Sequence, residues 1–383
     1  MKKFFSVTLT TCLFIILSGF SSLASEKVIE TPDVSVVINA DQPQMQQKPV
    51  NVNGSTLLPL RQLLVNLGVK NDDKHISWNS KEKSIKIVRD SLSIQLKVDS
   101  KTAYVNGKAV TLSVPPVVYK NSTYIPTRFV SECLNKKVSW HSASRSVIIT
   151  DVATFKEVKN ILDKTSNTMD SVKKVEAAFS MTVKPTSSQL ISMPITVSGN
   201  LKADSLKKIS YMDFNTSIMG MSLSGEQYLV NNVMYIKTNM SDVWNKKALT
   251  NEEISQYDAL YKMQTKNTFD DAFCSALKVD KQLSTDSQIV LTGKMVLKPM
   301  LEQISNSSSA ATSNLKINNM DCKIYINKST NYINKVVIDM NTQQASGGQS
   351  VSAKTTAEID FVKYNGDFTI TLPADAKNAI DTN

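Results

Sequence analysis

Two hydrophobic periods organise this chain. Beyond residue 150 most apolar positions recur every second residue. Phe179/Met181/Val183, Ile191/Met193/Ile195/Val197, Met320/Cys322/Ile324/Ile326 and Val336/Ile338/Met340 each alternate with polar neighbours. Successive strand side chains point to opposite faces, so the pattern predicts antiparallel strands with one buried and one wet face. Two stretches depart from it. Thr154-Phe155-Lys156-Glu157 reads as a capping box, followed at helical spacing by Phe155, Val158, Ile161, Leu162, Met169 and Val172. Thr250-Asn251-Glu252-Glu253 reads as a second box, opening a helix through about Met263. Asn231-Asn232 and Asn365-Gly366 are expected hairpin turns, and Ser305 to Ser313 a flexible loop.

The first half carries a repeat. Pro49, Ser55-Thr56, Pro59 and Arg61 recur as Pro116, Ser122-Thr123, Pro126 and Arg128 at a constant offset of 67. Ile76-Ser77-Trp78 and Val138-Ser139-Trp140 match at offset 62, which leaves five extra residues in copy one around Asn71 to His75. Each copy predicts a short strand, a turn at Gly54-Ser55 or Asn121-Ser122, a helix opened by Pro59 or Pro126, and strands beginning at Trp78 or Trp140. Leu63, Leu64 and Leu67 in one copy, and Phe129, Val130, Cys133 and Leu134 in the other, form the apolar stripe of that helix. Arg61 and Arg128 fall in a first helical turn, where a cation opposes the helix dipole and needs a compensating partner. A Trp face or a carboxylate would serve. The expected role of Arg61, Trp78, Arg128 and Trp140 is structural, with both tryptophans plugging a core.

Composition adjusts this picture at four points. Lys2-Lys3, the apolar run Phe4 to Leu17 and Ser22-Leu23-Ala24 read as a signal peptide over residues 1–24, cleaved before Ser25. Cys12 lies inside the apolar run after Thr10-Thr11 and is rejected as a lipid attachment site. The basic surplus is local: residues 25–150 carry 17 Lys+Arg against 10 Asp+Glu, and 151–383 carry 25 against 24. Such a charge outside a cell draws anionic wall polymer or lipid headgroups, or simply keeps the protein in solution. No aromatic base-stacking pattern accompanies it, so no nucleic acid is expected. Of the cysteines, Cys133, Cys274 and Cys322 survive cleavage, and whether Cys274 and Cys322 pair stays open.

The repeated half resembles the copper amine oxidase N-terminal-like domain, the stalk module of many exported Gram-positive proteins. Tyr104-Val105-Asn106-Gly107-Lys108-Ala109-Val110, Pro115-Pro116-Val117, Ser122 to Val130 and Val138-Ser139-Trp140 carry the likeness over about 33–150, as two repeats of about 35–90 and 91–150. Copy one departs with Ala40-Asp41 where the Asn-Gly turn would continue. The resemblance is to the stalk, not the copper domain, whose chemistry implies three His ligands and a Tyr in an Asn-Tyr-Asp/Glu context. Here His75 and His141 are the two histidines, and Asn331-Tyr332 is followed by Ile333. Gly220-Met221-Ser222-Leu223-Ser224 lacks the second Gly of a nucleophile elbow. Asp270-Asp271 and Glu252-Glu253 read as first-turn charges rather than catalytic dyads. No catalytic, cofactor-binding or metal-binding residue is assigned, and no enzyme is expected.

Thirteen of 15 Met lie at or beyond Met169. Met suits adaptable apolar surfaces and equally fills gaps in an ordinary core. Met193, Met212, Phe214, Met219, Met221 and Met234 are the candidate lining of an apolar ligand cavity. Gly225 to Tyr228, Val233 to Ile236, Trp244-Asn245-Lys246, Tyr364-Asn365-Gly366 and Leu372-Pro373 resemble LolA-like lipoprotein-carrier folds over 154–380, which implies a half-open antiparallel barrel with a helical lid. The expected class is thus α+β: a duplicated stalk followed by such a barrel. The expected function is an exported, envelope-associated protein that binds a lipid or lipoprotein-like ligand, with wall polymer as a second partner of the stalk. The alternative is a wall-associated adhesion or scaffold protein with no small ligand.

Overall fold

The computed structural model describes residues 27–142, 144–187, 193–218, 220–251, 253–254, 269–294, 315–346 and 349–382. The expected leader, most of the helix expected after Thr250, and residues 305–313 lie outside them. Two compact units emerge. The first holds 27–31, Gln47–Leu63 and Lys70–Thr127; the second holds Pro32–Gln46, Leu64–Val69 and 128–382.

In chain order the first elements are β1 (Val28–Glu30), β2 (Ser35–Ile38), β3 (Val50–Val52), β4 (Ser55–Pro59) and α1 (Leu60–Asn66). Then come β5 (Ile76–Asn79), β6 (Ser84–Arg89), β7 (Leu92–Lys97), β8 (Thr102–Val105) and β9 (Lys108–Thr111). β10 (Val117–Tyr119), β11 (Ser122–Pro126), α2 (Thr127–Cys133), β12 (Lys136–His141) and β13 (Ser146–Asp151) follow.

The first unit contains two five-stranded sheets, ordered β1-β3-β4-β11-β10 and β5-β6-β7-β8-β9. Its hairpins turn on Asn53-Gly54, Asn106-Gly107 and Lys120-Asn121, two-residue loops with both φ angles positive. That geometry matches strand twist and favours Asn and Gly. β4 pairs antiparallel with β11 through Pro59↔Tyr124, Leu58↔Ile125 and Leu57↔Pro126. At the repeat offset of 67, this register relates the two hairpins by a local two-fold through Leu58 and Ile125, both fully buried. Pro59 and Pro126 close strands, and α1 and α2 begin one residue later than the sequence pattern suggested.

The second unit continues with α3 (Val152–Met169), β14 (Lys174–Ser187), β15 (Ile195–Asp204), β16 (Ile209–Ile218), β17 (Met221–Val230), β18 (Val233–Thr238) and β19 (Ser241–Ala248). It ends with α4 (Asp271–Ser275), β20 (Leu277–Val279), β21 (Gln288–Lys294), β22 (Leu315–Asn327), β23 (Ile333–Ser346), β24 (Gln349–Tyr364) and β25 (Ile380–Asp381). A twelve-stranded curled sheet, β20-β21-β22-β23-β24-β14-β15-β16-β17-β18-β19-β25, dominates it. The strands are antiparallel except for β19 with β25. A smaller sheet, β12-β13-β2, includes the parallel pair β13–β2. With four α-helices among the described residues, the chain is mostly β, and the α+β balance expected from the sequence is corrected accordingly. The long runs of alternating Thr, Val and Ile favour strand over helix.

Three local expectations also change. α3 starts at Val152 with Asp151 as its N-cap, so Thr154-Phe155-Lys156-Glu157 lies inside the helix and caps nothing. The Thr250 box does form: the Glu253 amide donates to Thr250 Oγ1 (3.2 Å) and the Thr250 amide donates to Glu253 Oε2 (2.8 Å). Asn365-Gly366 is no hairpin turn. It follows β24, and Asn365 Oδ1 accepts from the Lys173 and Lys174 amides. Asn231-Asn232 is a hairpin turn as expected, both residues having positive φ.

Candidate functional site

Cross-strand register assembles one apolar face. On β22 to β24, Cys322 faces Ile338, which faces Ala357; Ile324 faces Val336, which faces Ile359. The rows continue through Ile359↔Phe179, Phe179↔Gly199 and Gly199↔Phe214 into Phe214↔Gly225. A parallel row passes Ala177, Leu201, Met212, Gln227 and Ile236. On the other face polar residues pair across strands, as in Lys202 with Glu176 (3.3 Å) and Thr356 Oγ1 donating to Asp339 (2.6 Å), while from β16 to β18 that face carries Tyr211, Tyr228 and Tyr235, which cluster with Trp244.

One end of the apolar face is sealed. Val158 and Leu162 of α3, with Phe273 and Cys274 of α4, pack on Leu291, Cys322, Ile324 and Ile338, all buried. Asp270 caps α4, its Oδ1 accepting from the Phe273 amide (2.7 Å), a more specific role than the first-turn charge expected of it. From β14 to β18 the same face is half-buried: Phe179, Met181, Val197, Leu201, Met212, Phe214, Met234 and Ile236 keep partial exposure. Two glycines shape this stretch. A Cβ on Gly199 would lie 2.9 Å from the Phe179 ring, and one on Gly225 would lie 2.8 Å from the Phe214 ring. Each ring therefore lies over the glycine of its neighbouring strand, and the surface is aromatic there with little relief.

The sequence candidates fall as follows. Met212, Phe214, Met221 and Met234 share this face by register. Met221 stands at its margin, 68% exposed, and Met193 precedes β15, 51% exposed. Met219 lies outside the described residues. Phe179, Met181, Val197, Leu201 and the two glycines were not among the candidates, although the alternation in β14 and β15 announced their common face.

The repeated motif is also placed. Arg61 donates to Asn71 Oδ1 (2.9 Å) and to the Ile76 carbonyl (3.4 Å). Arg128 donates to the Val138 carbonyl (3.1 Å) and lies 3.7 Å from Glu132. Ile76 and Val138 each sit two residues before the repeated Trp, so both arginines find the equivalent carbonyl in their repeats. Trp78 and Trp140 are 40% and 43% exposed and plug no core. By register each shares a strand face with buried residues, Trp78 with Ile76 and Ile85 and Trp140 with Val138 and Val147, and keeps its exposure at the margin of that face.

Reactive side chains are dispersed. Burial pushes the Cys274 and Cys322 thiols up to about 12, and burial also raises Cys133. All three are free. His75 Nδ1 lies 2.6 Å from Asp72 Oδ1 in a surface turn, a contact that holds the Asp72 carboxyl below its ordinary range. His141 pairs with Ser144 Oγ (2.9 Å).

Comparison with known proteins supports the stalk resemblance drawn from the sequence. Residues 37–149 match the copper amine oxidase N-terminal domain. No curated protein matches the chain. Among solved structures, an uncharacterized conserved protein from Thermus thermophilus is 9% identical, covering 59% of this chain and 99% of its own, with a TM-score of 0.26. A LolA superfamily protein from Nitrosomonas europaea is 8% identical, covering 56% and 94%, with a TM-score of 0.21. An S-type phycobiliprotein lyase from Guillardia theta is 7% identical, covering 55% and 97%, with a TM-score of 0.19. Residues 157–381 match a family of unknown function (DUF6612), and since that is more than half of its length, the chain belongs to this family.

Proposed function

We propose that this is an exported, non-catalytic protein whose large sheet binds an apolar ligand, a lipid or lipoprotein-like molecule of the cell envelope, presented by a duplicated stalk. One observation carries the ligand reading: a mainly apolar face that runs from β21 to β18, with Gln227 among its few polar members, sealed by helices at one end and half-buried at the other. Half-buried Met and Phe side chains on a shared face suit a guest of variable shape. A buried methylene contributes about 0.8 kcal/mol, and association costs at least about 4 kcal/mol. A chain of about fifteen methylenes then gives about 12 kcal/mol gross and about 8 net, which is micromolar affinity. Shorter chains would bind too weakly to be carried.

Export rests on the leader pattern of residues 1–24, and among the described residues no helix is long and apolar enough to cross a membrane. The duplicated stalk over about 33–150 is supported by the two-fold pairing of β4 with β11 and by the equivalent carbonyls that Arg61 and Arg128 reach. Thiols held near 12 are poor nucleophiles at neutral pH, which favours a binding role over chemistry.

Organic extraction and mass spectrometry of the purified whole chain test the proposal. Recovery of acyl-bearing species, and displacement of a fluorescent C16 fatty acid, are the expected results. Met221→Glu, at an exposed position, should weaken that probe at least fivefold without altering the far-UV spectrum. No extracted lipid together with no probe binding would sink the reading in favour of a wall-associated scaffold.

A further inference from the structure

The opposite chemistry appears on the sheet β5–β9. Its strands alternate cleanly, with Ile76, Ile85, Ile87, Ile94 and Leu96 buried on one face. The other face is polar and carries an open groove of about 390 Å³. Register sets the groove's hydrogen-bonding groups in two cross-strand rows. One runs Asn79, Ser84, Lys97; the next runs Ser77, Lys86, Gln95, Tyr104. Lys86 and Lys97 stand on neighbouring strands as diagonal partners, with roots about 7–8 Å apart.

A solvated sheet face is the ordinary outcome of such alternation, and the large sheet shows what that looks like. There Lys202 faces Glu176, and Lys335 faces Asp360 and also pairs with Glu358 across strands. In the groove no ion pair among the described residues engages Lys86 or Lys97. Two exposed ammonium groups of like sign on diagonal positions raise the local positive potential, which attracts an anion. The one carboxylate at the rim, Glu82, accepts from Ser84 Oγ (3.3 Å) and is thereby held to the turn. Around the two cations, hydroxyls of Ser77 and Thr102 and the Gln95 amide offer both donors and acceptors. Tyr104, 44% exposed, adds an apolar ring face with a polar tip.

We propose that this groove binds an anionic polyol chain, a polymer whose repeat carries hydroxyls and one phosphodiester or carboxylate. Lys86 and Lys97 take consecutive anions, Ser77, Gln95 and Thr102 bond the hydroxyls between them, and Tyr104 covers the carbon skeleton. The site uses no residue of the apolar face, so it stands or falls separately from lipid binding.

Calorimetry on the whole chain at low salt, with poly(glycerol phosphate), polygalacturonate and neutral dextran as probes, tests it. Binding of at least one polyanion, steeply weakened by salt, is expected, and which one binds tighter identifies the anion. The double substitution Lys86→Ala/Lys97→Ala should weaken it at least tenfold, and Tyr104→Ala several-fold. Lys207→Ala/Lys208→Ala, an equal charge loss at an exposed turn, should change it less than twofold. The proposal is overturned if neither polyanion binds, if dextran binds as tightly, if the Lys86/Lys97 variant binds normally, or if the control loses as much.

Discussion

Gly199 and Gly225 make the apolar face what it is, because their missing side chains let two phenyl rings lie down. At Gly199 the constraint is double: an added Cβ would fall 1.9 Å from the Asp213 carbonyl oxygen as well as into the Phe179 ring. Gly199→Ala must therefore part β15 from β16 as well as lift the ring, and overpacking of this kind costs about 1–3 kcal/mol. Urea unfolding should show a loss in that range with an unchanged m-value; an unaltered midpoint would mean the strands are looser than their register implies. Thiol reactivity supplies a second residue-scale test. With Cys274 and Cys322 buried and their thiols near 12, alkylation of the native protein at pH 8 should leave both unlabelled, while denaturant exposes both. Native labelling of either would contradict the packing of α3 and α4 on the sheet.

The elements that the sequence announced are those whose signal is local. Alternation in β14, β22 and β23 fixed a buried face before any partner was known, and Asn231-Asn232 turned as its composition requires. The Thr250 box is of the same kind, and it titrates. Lys247 donates to Glu253 (2.7 Å), which with the Thr250 amide pulls the Glu253 carboxyl down to about 2. A carboxylate depressed on folding stabilises the folded state above its unfolded value of about 4.3 and ceases to as pH falls through its folded one. Protection of the Glu253 amide from hydrogen exchange should accordingly fade as pH drops from about 4 towards 2, and Glu253→Gln should remove that dependence. An acid limb that survives the substitution would place its origin elsewhere. What the sequence concealed is non-local: that β14 pairs with β24, from Val175↔Tyr364 to Ser187↔Ser352, or that Trp78 and Trp140 stay exposed beside buried neighbours, depends on which elements close beside them.

At the scale of the whole chain, the family boundaries and the compact units do not coincide. The two matched families meet between residues 149 and 157, yet the second unit reaches back for Pro32–Gln46, Leu64–Val69 and residues from 128 onwards. Within that unit, Val37 of β2 and Ile148 of β13 share a buried cluster with Ala272 and Ala276. Ser139 and Ser275 are hydrogen-bonded at 3.0 Å and buried, Lys137 pairs with Asp271 at 3.0 Å, and Lys278 pairs with Asp41 at 2.9 Å. A fragment beginning at residue 152 loses all of these. The two alanines contribute about 1.5 kcal/mol of burial, the serine pair about 1, and the exposed ion pairs about 0.5 together. About 3 kcal/mol in a unit of this size corresponds to a drop of about 6–12 °C in melting temperature. The fragment should therefore melt lower than the second unit does in the intact chain, and it should bind a hydrophobic dye at the uncovered alanines. If it melts at the intact chain's temperature and binds no dye, then the sheet and its helices are self-sufficient, and the strands β2, β12 and β13 add nothing to their stability.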